Sequence, residues 1–340
     1  MFDFFKKKSA PTHNPEAVLR EWIGAYTRRE VCIPDGDFKR IDVLELGGSD
    51  ALNFVPEEIG YLEGLKVLSL DKNAITLLPE SLGKLKNLKA LILKDMPLTQ
   101  IPECVFELPL EYMVLGRTDM EVLPHSIGKL KNLELLDLYT SRFKTLPESI
   151  VTCKNLKVLS LFGSEIETLP ENFGELSSLE NLDLSFSKIK HLPTSFTKLS
   201  RLISLNLHRA TQCEAIPHTI GDMKSLEVID IEASLVDALP DSIGELKNLK
   251  VLNLTGTKIL QLPKSIDQLT QLRLLKLLKC PVTELPQSLE ENQNLSIISK
   301  RVTTRLANLV TEVPTLTLDI TPTKECPLLL DNYLEVLMVQ

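Results

Sequence analysis

Apolar residues recur along this chain with a period of about 23 residues. Within the repeats, a proline that follows Val, Leu or Ile recurs at eleven equivalent positions, and eight of the ten gaps between them are 23 residues, with one of 22 and one of 24. The prolines are at positions 56, 79, 102, 124, 147, 170, 193, 217, 240, 263 and 286. So regular a period is typical of a solenoid in which each repeat is one supersecondary unit.

The unit is clearest at 249–271, LKVLNLTGTKILQLPKSIDQLTQ. Its LxxLxL segment predicts a short strand in which Leu252 and Leu254 point to one side. Pro263 lacks an N–H and has a fixed φ, so it suits the start of a return segment that forms a short helix or 3-10 turn. One unit cannot bury its apolar residues alone, whereas stacked units can.

Twelve LxxLxL segments predict twelve parallel strands in one sheet. Strands pack more closely than the bulkier return segments, so we expect a curved α/β solenoid. The sheet should line its concave face, and short helices or 3-10 turns its convex face. The segments begin at Ile41, Leu65, Leu88, Leu110, Leu133, Leu156, Leu179, Leu202, Leu226, Leu249, Leu272 and Leu295.

This pattern resembles the leucine-rich-repeat family from residue 41 to about 300, and its 23-residue LPxxI(G)xLxxL form is similar to intracellular Ras-group members. The resemblance implies a horseshoe-shaped scaffold whose concave face binds a protein, for example a small GTPase. The family usually has Asn at the turn after LxxLxL, but here Asn73 alone does, and Ser or Thr is common instead. Small hydroxyl side chains can also bond local backbone, and this Ser/Thr variant also resembles the repeats of plant disease-resistance receptors.

Both ends of the array need covers. Residues 1–40 are predicted to be a tail and an amphipathic cap helix within 14–30, with Val18, Leu19, Trp22, Ile23 and Tyr26 on one face. The repeats occupy 41–294. Residues 295–340 are predicted to form the last, partial repeat, in which Lys300 replaces the third apolar residue, and a C-terminal cap.

Cysteine spacing and the order of residues at the start of the chain favour a cytoplasmic protein. The net charge of −8 and a pI near 5.4 argue against nucleic acid as a partner. No apolar run is long enough to predict stable membrane insertion, and MFDFFKKK does not have the order of a signal peptide. The six cysteines are far apart, which favours reduced thiols. Delivery as a secreted bacterial effector remains an alternative.

Motifs of known catalytic chemistry are missing from the sequence. There is no GxxxxGK[ST], GxGxxG, HExxH or GxSxG, and the five histidines show no ligand spacing. We therefore predict no catalytic residue, no metal and no cofactor, and a scaffold rather than an enzyme. The alternative enzyme is a cysteine-dependent transferase that uses Cys32 or Cys326, for which His13 is the terminal histidine that could act as a base.

The concave columns of the predicted sheet contain aromatic and charged residues over the middle repeats. Exposed aromatics beside charges are typical of interface anchors, whereas we expect the acids by themselves to keep the face soluble. The predicted partner-binding residues are Tyr112, Asp137, Tyr139, Phe162, Asp183, Phe186, His208, Arg209, Asp230 and Glu232.

Overall fold

The computed structural model describes residues 14–26, 38–48, 52–290 and 294–299. Its twelve strands form one open parallel sheet in the order of the chain, so the predicted α/β solenoid is confirmed. The strands are β1 (Val43–Glu45), β2 (Val67–Ser69), β3 (Ala90–Ile92), β4 (Tyr112–Val114), β5 (Leu135–Asp137), β6 (Val158–Ser160), β7 (Asn181–Asp183), β8 (Ser204–Asn206), β9 (Val228–Asp230), β10 (Val251–Asn253), β11 (Leu274–Lys276) and β12 (Ser296–Ile298).

The register places equivalent residues of neighbouring repeats side by side, as Leu252 and Leu275 show. At the last strand the prediction was wrong by one residue. Ile297, not Ile298, pairs with Leu275, because the Leu277 N–H donates to the Ile298 carbonyl at 2.7 Å.

Strands β1–β10 each return through a segment that contains a 3-10 helix, and most of these helices begin directly after the proline of the repeat. The 3-10 helices among the described residues are Phe38–Arg40, Glu57–Tyr61, Glu80–Lys84, Glu103–Glu107, His125–Lys129, Glu148–Thr152, Phe173–Glu175, Thr194–Lys198, Ile220–Asp222, Asp241–Glu245 and Lys264–Gln268. The apolar side chains of strands and return segments form one continuous core between them.

Two α-helices lie near the ends of the described chain, α1 (Pro15–Tyr26) and α2 (Gln287–Glu290). Trp22 of α1 is buried, and its Nε1 donates to the carbonyl of Phe54 at 3.3 Å. The helix therefore packs on the first repeat. The predicted C-terminal cap lies outside the described residues from 300 onward.

The turn after each strand shows how the Asn position works. The Asn73 amide donates to the Leu46 carbonyl at 2.8 Å and to the Leu70 carbonyl at 2.9 Å, so it joins two repeats. Hydroxyls at the same position donate to a carbonyl of their own repeat at Thr118, Ser187 and Thr257, and Thr257 Oγ1 also lies 3.5 Å from the Cys280 Sγ of the next repeat. The buried hydroxyls of Ser141, Ser164 and Ser234 have no hydrogen-bond partner among the described residues. Hydroxyl residues therefore fit this turn without replacing the bridge.

Candidate protein-binding face

The side chains of each strand alternate between the core and the opposite side of the sheet. This opposite side carries the residues of the predicted concave columns and is called the outer face below. In β5, Leu136 enters the core, while Leu135 and Asp137 belong to the outer face, followed by Tyr139 beyond the strand. One residue later the backbone turns with a positive φ. Phe186 (φ 55°) and Arg209 (φ 52°) hold this turn position in their repeats.

An aromatic row, defined as Phe162, Phe186 and His208, crosses three adjacent repeats of the outer face. The ring centroids of Phe162 and Phe186 are 5.3 Å apart, and those of Phe186 and His208 are 5.1 Å apart. The guanidinium of Arg209 lies 5.4 Å from the centroid of the Phe186 ring, within cation–π range. The three rings are partly exposed and Arg209 is exposed. The structure therefore brings four of the predicted binding residues together.

The two tyrosines of the predicted site are packed on the sheet. Tyr112 is only 8% exposed. The Tyr139 ring lies over Gly116, where an added Cβ would fall 1.9 Å from the Tyr139 Cδ1 atom. The Tyr139 hydroxyl donates to Asp95 Oδ2 at 2.8 Å, and burial together with Asp95 raises the pKa of the Tyr139 hydroxyl. Tyr139 is therefore half-buried. It covers neighbouring residues of the sheet and does not project freely into solvent.

Three acids stand at the last residue of alternate strands, Asp137 on β5, Asp183 on β7 and Asp230 on β9. The Oδ1 atom of each accepts the backbone N–H two residues ahead, at 3.1, 2.8 and 2.8 Å respectively. Asn206 and Asn253 accept the equivalent N–H at 3.0 and 3.1 Å. These side chains thus satisfy a backbone N–H group just beyond the end of their own strand.

Neighbouring strands bury two of the four predicted acids, so solubility of the face does not account for these two. Asp137 is 9% exposed and Asp230 is 7% exposed. Loss of water around the carboxylate raises the pKa of Asp137 to about 6. Burial likewise raises the pKa values of Asp183 and Asp230 above their usual range. Charging these acids in the folded protein is therefore unfavourable.

A mixed cluster of His208, Asp230 and Glu232 continues from the end of the aromatic row. Each residue offers one donor atom, and all three atoms lie within 4.8 Å of one another. His208 Nδ1 is 3.7 Å from Glu232 Oε2. The Asn253 amide donates to Asp230 Oδ2 at 2.9 Å and to Glu232 Oε2 at 3.0 Å.

The histidines do not have the spacing of metal ligands among themselves, so the sequence pattern did not single out this cluster. The sequence does carry its signal, since residues 22 and 24 positions apart become neighbours when the repeat is 23 residues long.

The cysteines of the described chain are free thiols, at positions 104, 153, 213 and 280. Burial raises the pKa values of Cys153 and Cys213 to about 11, which leaves both thiols protonated and poorly nucleophilic at neutral pH. Cys32, Cys326 and His13, the residues of the alternative enzyme, lie outside the described residues. Within the described chain, no helix has the length and apolarity needed to cross a membrane.

Comparisons with known proteins agree on the fold. A family model described as a leucine-rich repeat region matches residues 153–235, and none of the curated proteins matches the chain. A leucine-rich-repeat protein of Leptospira interrogans is similar over 78% of this chain and 80% of its own, with 28% identity and a TM-score of 0.65.

Two plant receptor structures are also similar, although this chain spans less than half of each. The peptide hormone receptor RGFR1, in complex with RGF2, has 25% identity and a TM-score of 0.59 over 77% of this chain and 48% of its own. The Arabidopsis receptor kinase HAESA, in complex with the peptide hormone IDA and the co-receptor SERK1, has 24% identity and a TM-score of 0.61 over 76% and 46%. This chain thus contains a leucine-rich-repeat region and has the fold of a leucine-rich-repeat solenoid.

Proposed function

We propose that this protein is a non-catalytic interaction module that binds another protein on the outer face of β5–β9. Leucine-rich-repeat folds are generally protein–protein interaction modules. The observation that carries the proposal is the aromatic row with Arg209 beside it. Large rings lose little side-chain entropy on binding, and partly exposed clusters of aromatic and Arg side chains are typical centres of binding energy.

The buried acids beside the row support a partner with cationic side chains. A charged Asp137 in this setting lowers the stability of the free protein, because burial opposes its ionisation. A Lys or Arg side chain placed against it would favour the charged form. Desolvated acids beside an aromatic surface are therefore better explained by recognition than by solubility.

The comparisons favour a protein or peptide as ligand. The RGFR1 structure contains RGF2, and the HAESA structure contains the peptide hormone IDA together with a co-receptor. Resemblance to Ras-group repeats adds a signalling protein such as a small GTPase as a candidate. We also place the protein in the cytoplasm, on the wide spacing of its cysteines.

Site-specific photocrosslinking would test the binding face. A photoreactive phenylalanine analogue is placed at Phe162 in the aromatic row or, as a matched control, at Leu260. Leu260 is 66% exposed in the connection after β10, away from the row. We expect a crosslinked partner from position 162 and none from position 260.

The variant Phe162→Ala measures the energy of the same contact. We expect it to weaken partner binding by roughly 10- to 30-fold, as truncation of an interface anchor does, while Leu260→Ala leaves binding unchanged. Thermal unfolding separates binding from folding, since Phe162 is already partly exposed. Equal crosslinking at both positions, or unchanged affinity of Phe162→Ala, would contradict the proposed face.

A further inference from the structure

The cluster of His208, Asp230 and Glu232 has a donor set suited to a metal ion. It combines one imidazole nitrogen with two carboxylates, and the residues come from β9 and from the segments after β8 and β9. Zinc-type ions take N and O ligands at about 2.0–2.2 Å. Donor atoms within 4.8 Å of one another can meet at one such ion after small side-chain rotations.

The surroundings already hold these side chains in place. The Asn253 amide bonds both carboxylates, and the Glu232 N–H donates to Asp230 Oδ1 at 2.8 Å. The Phe186 ring lies against the His208 ring. Hydrogen bonds of this kind from outside the ligand set orient metal ligands and strengthen binding. Asn253 thus has the position of an orienting residue for both carboxylates.

The charge of the cluster is also unbalanced. Among the described residues, His208 is the one basic side chain within ion-pair distance of Glu232, and none is that close to Asp230. Asn253 supplies hydrogen bonds but no charge. Two neighbouring carboxylates, one of them 7% exposed, would therefore be stabilised by a bound cation.

We propose that His208, Asp230 and Glu232 bind one divalent transition-metal ion of the zinc type on the outer face. The imidazole favours such an ion over Mg²⁺ or Ca²⁺, which prefer oxygen ligands alone. Three protein ligands leave a coordination position open, as in zinc sites that accept an external ligand. The site does not depend on the proposed partner, because its ligands all belong to this chain.

Calorimetric titration of the chelator-treated full chain with ZnCl₂ tests the proposal, with CaCl₂ and MgCl₂ as comparison ions. We expect one zinc per chain and weak or no heat from the other two ions. His208→Gln and Asp230→Asn should each weaken binding by about 100-fold or more. Asn253→Ser, which removes an orienting residue, should weaken it by about 10-fold.

The chain offers a matched control in Asp137→Asn. It makes the same substitution at the same strand position four strands away, and Asn206 and Asn253 show that Asn fits there. Thermal unfolding checks that every variant folds. The visible spectrum of bound Co²⁺ reports nitrogen and oxygen ligands rather than thiolates, which excludes the free cysteines.

Three results would overturn the site. They are no zinc binding by the wild type, unchanged binding in His208→Gln and Asp230→Asn, and a loss in Asp137→Asn as large as in Asp230→Asn.

Discussion

The outer face has buried residues at both β3–β4 and β9–β10, but of opposite chemistry. On β3 and β4 its residues are apolar: Ala90, Ile92, Tyr112 and Val114. On β9 and β10 the last strand residues are Asp230 and Asn253, which are as inaccessible as Ile92. The core beneath both regions has the same leucine-rich composition, so the difference is confined to one side of the sheet.

This comparison separates what the fold requires from what it permits. The solenoid is held by its core, and burying apolar groups on the outer face adds stability. Burying an acid there reduces stability once the acid is charged. Strands β9 and β10 therefore carry an energetic cost that β3 and β4 avoid. A binding role would account for keeping the buried acid. The boundary runs between Val114 and Asp137, which are directly paired across β4 and β5.

The largest test moves the boundary by one strand. Val114→Asp would place a second carboxylate beside Asp137 at a position that is fully buried. We expect the free energy of unfolding at pH 7.5 to fall by about 3–5 kcal/mol, since an unpaired buried charge is among the costliest changes. Urea unfolding would measure it. Val114→Asn has a similar shape without the charge, and an equal loss in this control would show that charge is not the cause.

The opposite exchange, Asp137→Asn, should stabilise the protein at neutral pH. The folded pKa of Asp137 is raised to about 6, so the folded state binds this proton more tightly than the unfolded state. Stability from this group is therefore present at low pH and is lost as the pH rises from about 4 to about 6. At roughly 1.4 kcal/mol per pKa unit, we expect the variant to gain up to about 3 kcal/mol at pH 8 and almost nothing at pH 4.

Unfolding of Asp137→Asn and wild type at a series of pH values measures that gain. Asp237→Asn serves as control, because Asp237 is exposed and its substitution should give a difference near zero throughout. A gain for Asp137→Asn that does not change with pH would contradict the assigned cause.

Sequence alone could predict the core and the columns, because both follow from a 23-residue period. Once Leu252 is assigned to the core, the register assigns Asn253 to the outer face and places Asp230 beside it. At the last strand the period fails, since Leu295 and Ile298 fit the apolar pattern one residue out of register. Backbone pairing, not the pattern, decides that register.

Burial on the outer face could not be predicted, because it depends on how side chains lean across neighbouring repeats. Tyr139 reaches past Gly116 to Asp95, two repeats away, and only a residue without a side chain at 116 allows this. A glycine beside an aromatic in the same column was the available signal. For Asp137 the sequence gives the residue but not the loss of water that raises its pKa.

The smallest expected effect concerns which part of Tyr139 covers the outer face of β4. Tyr139→Phe keeps the ring over Gly116 and removes the hydroxyl that donates to Asp95. We expect a loss of about 1 kcal/mol in unfolding free energy, typical of one hydrogen bond, because Asp95 keeps its contact with Arg117 at 3.3 Å. Tyr61→Phe is the matched control. It removes a Tyr–carboxylate bond to Glu16 at 3.1 Å outside the outer face, and we expect a smaller loss. If Tyr139→Phe lowers the free energy of unfolding no more than Tyr61→Phe does, the ring alone covers β4. This part of the outer face then owes its stability to packing.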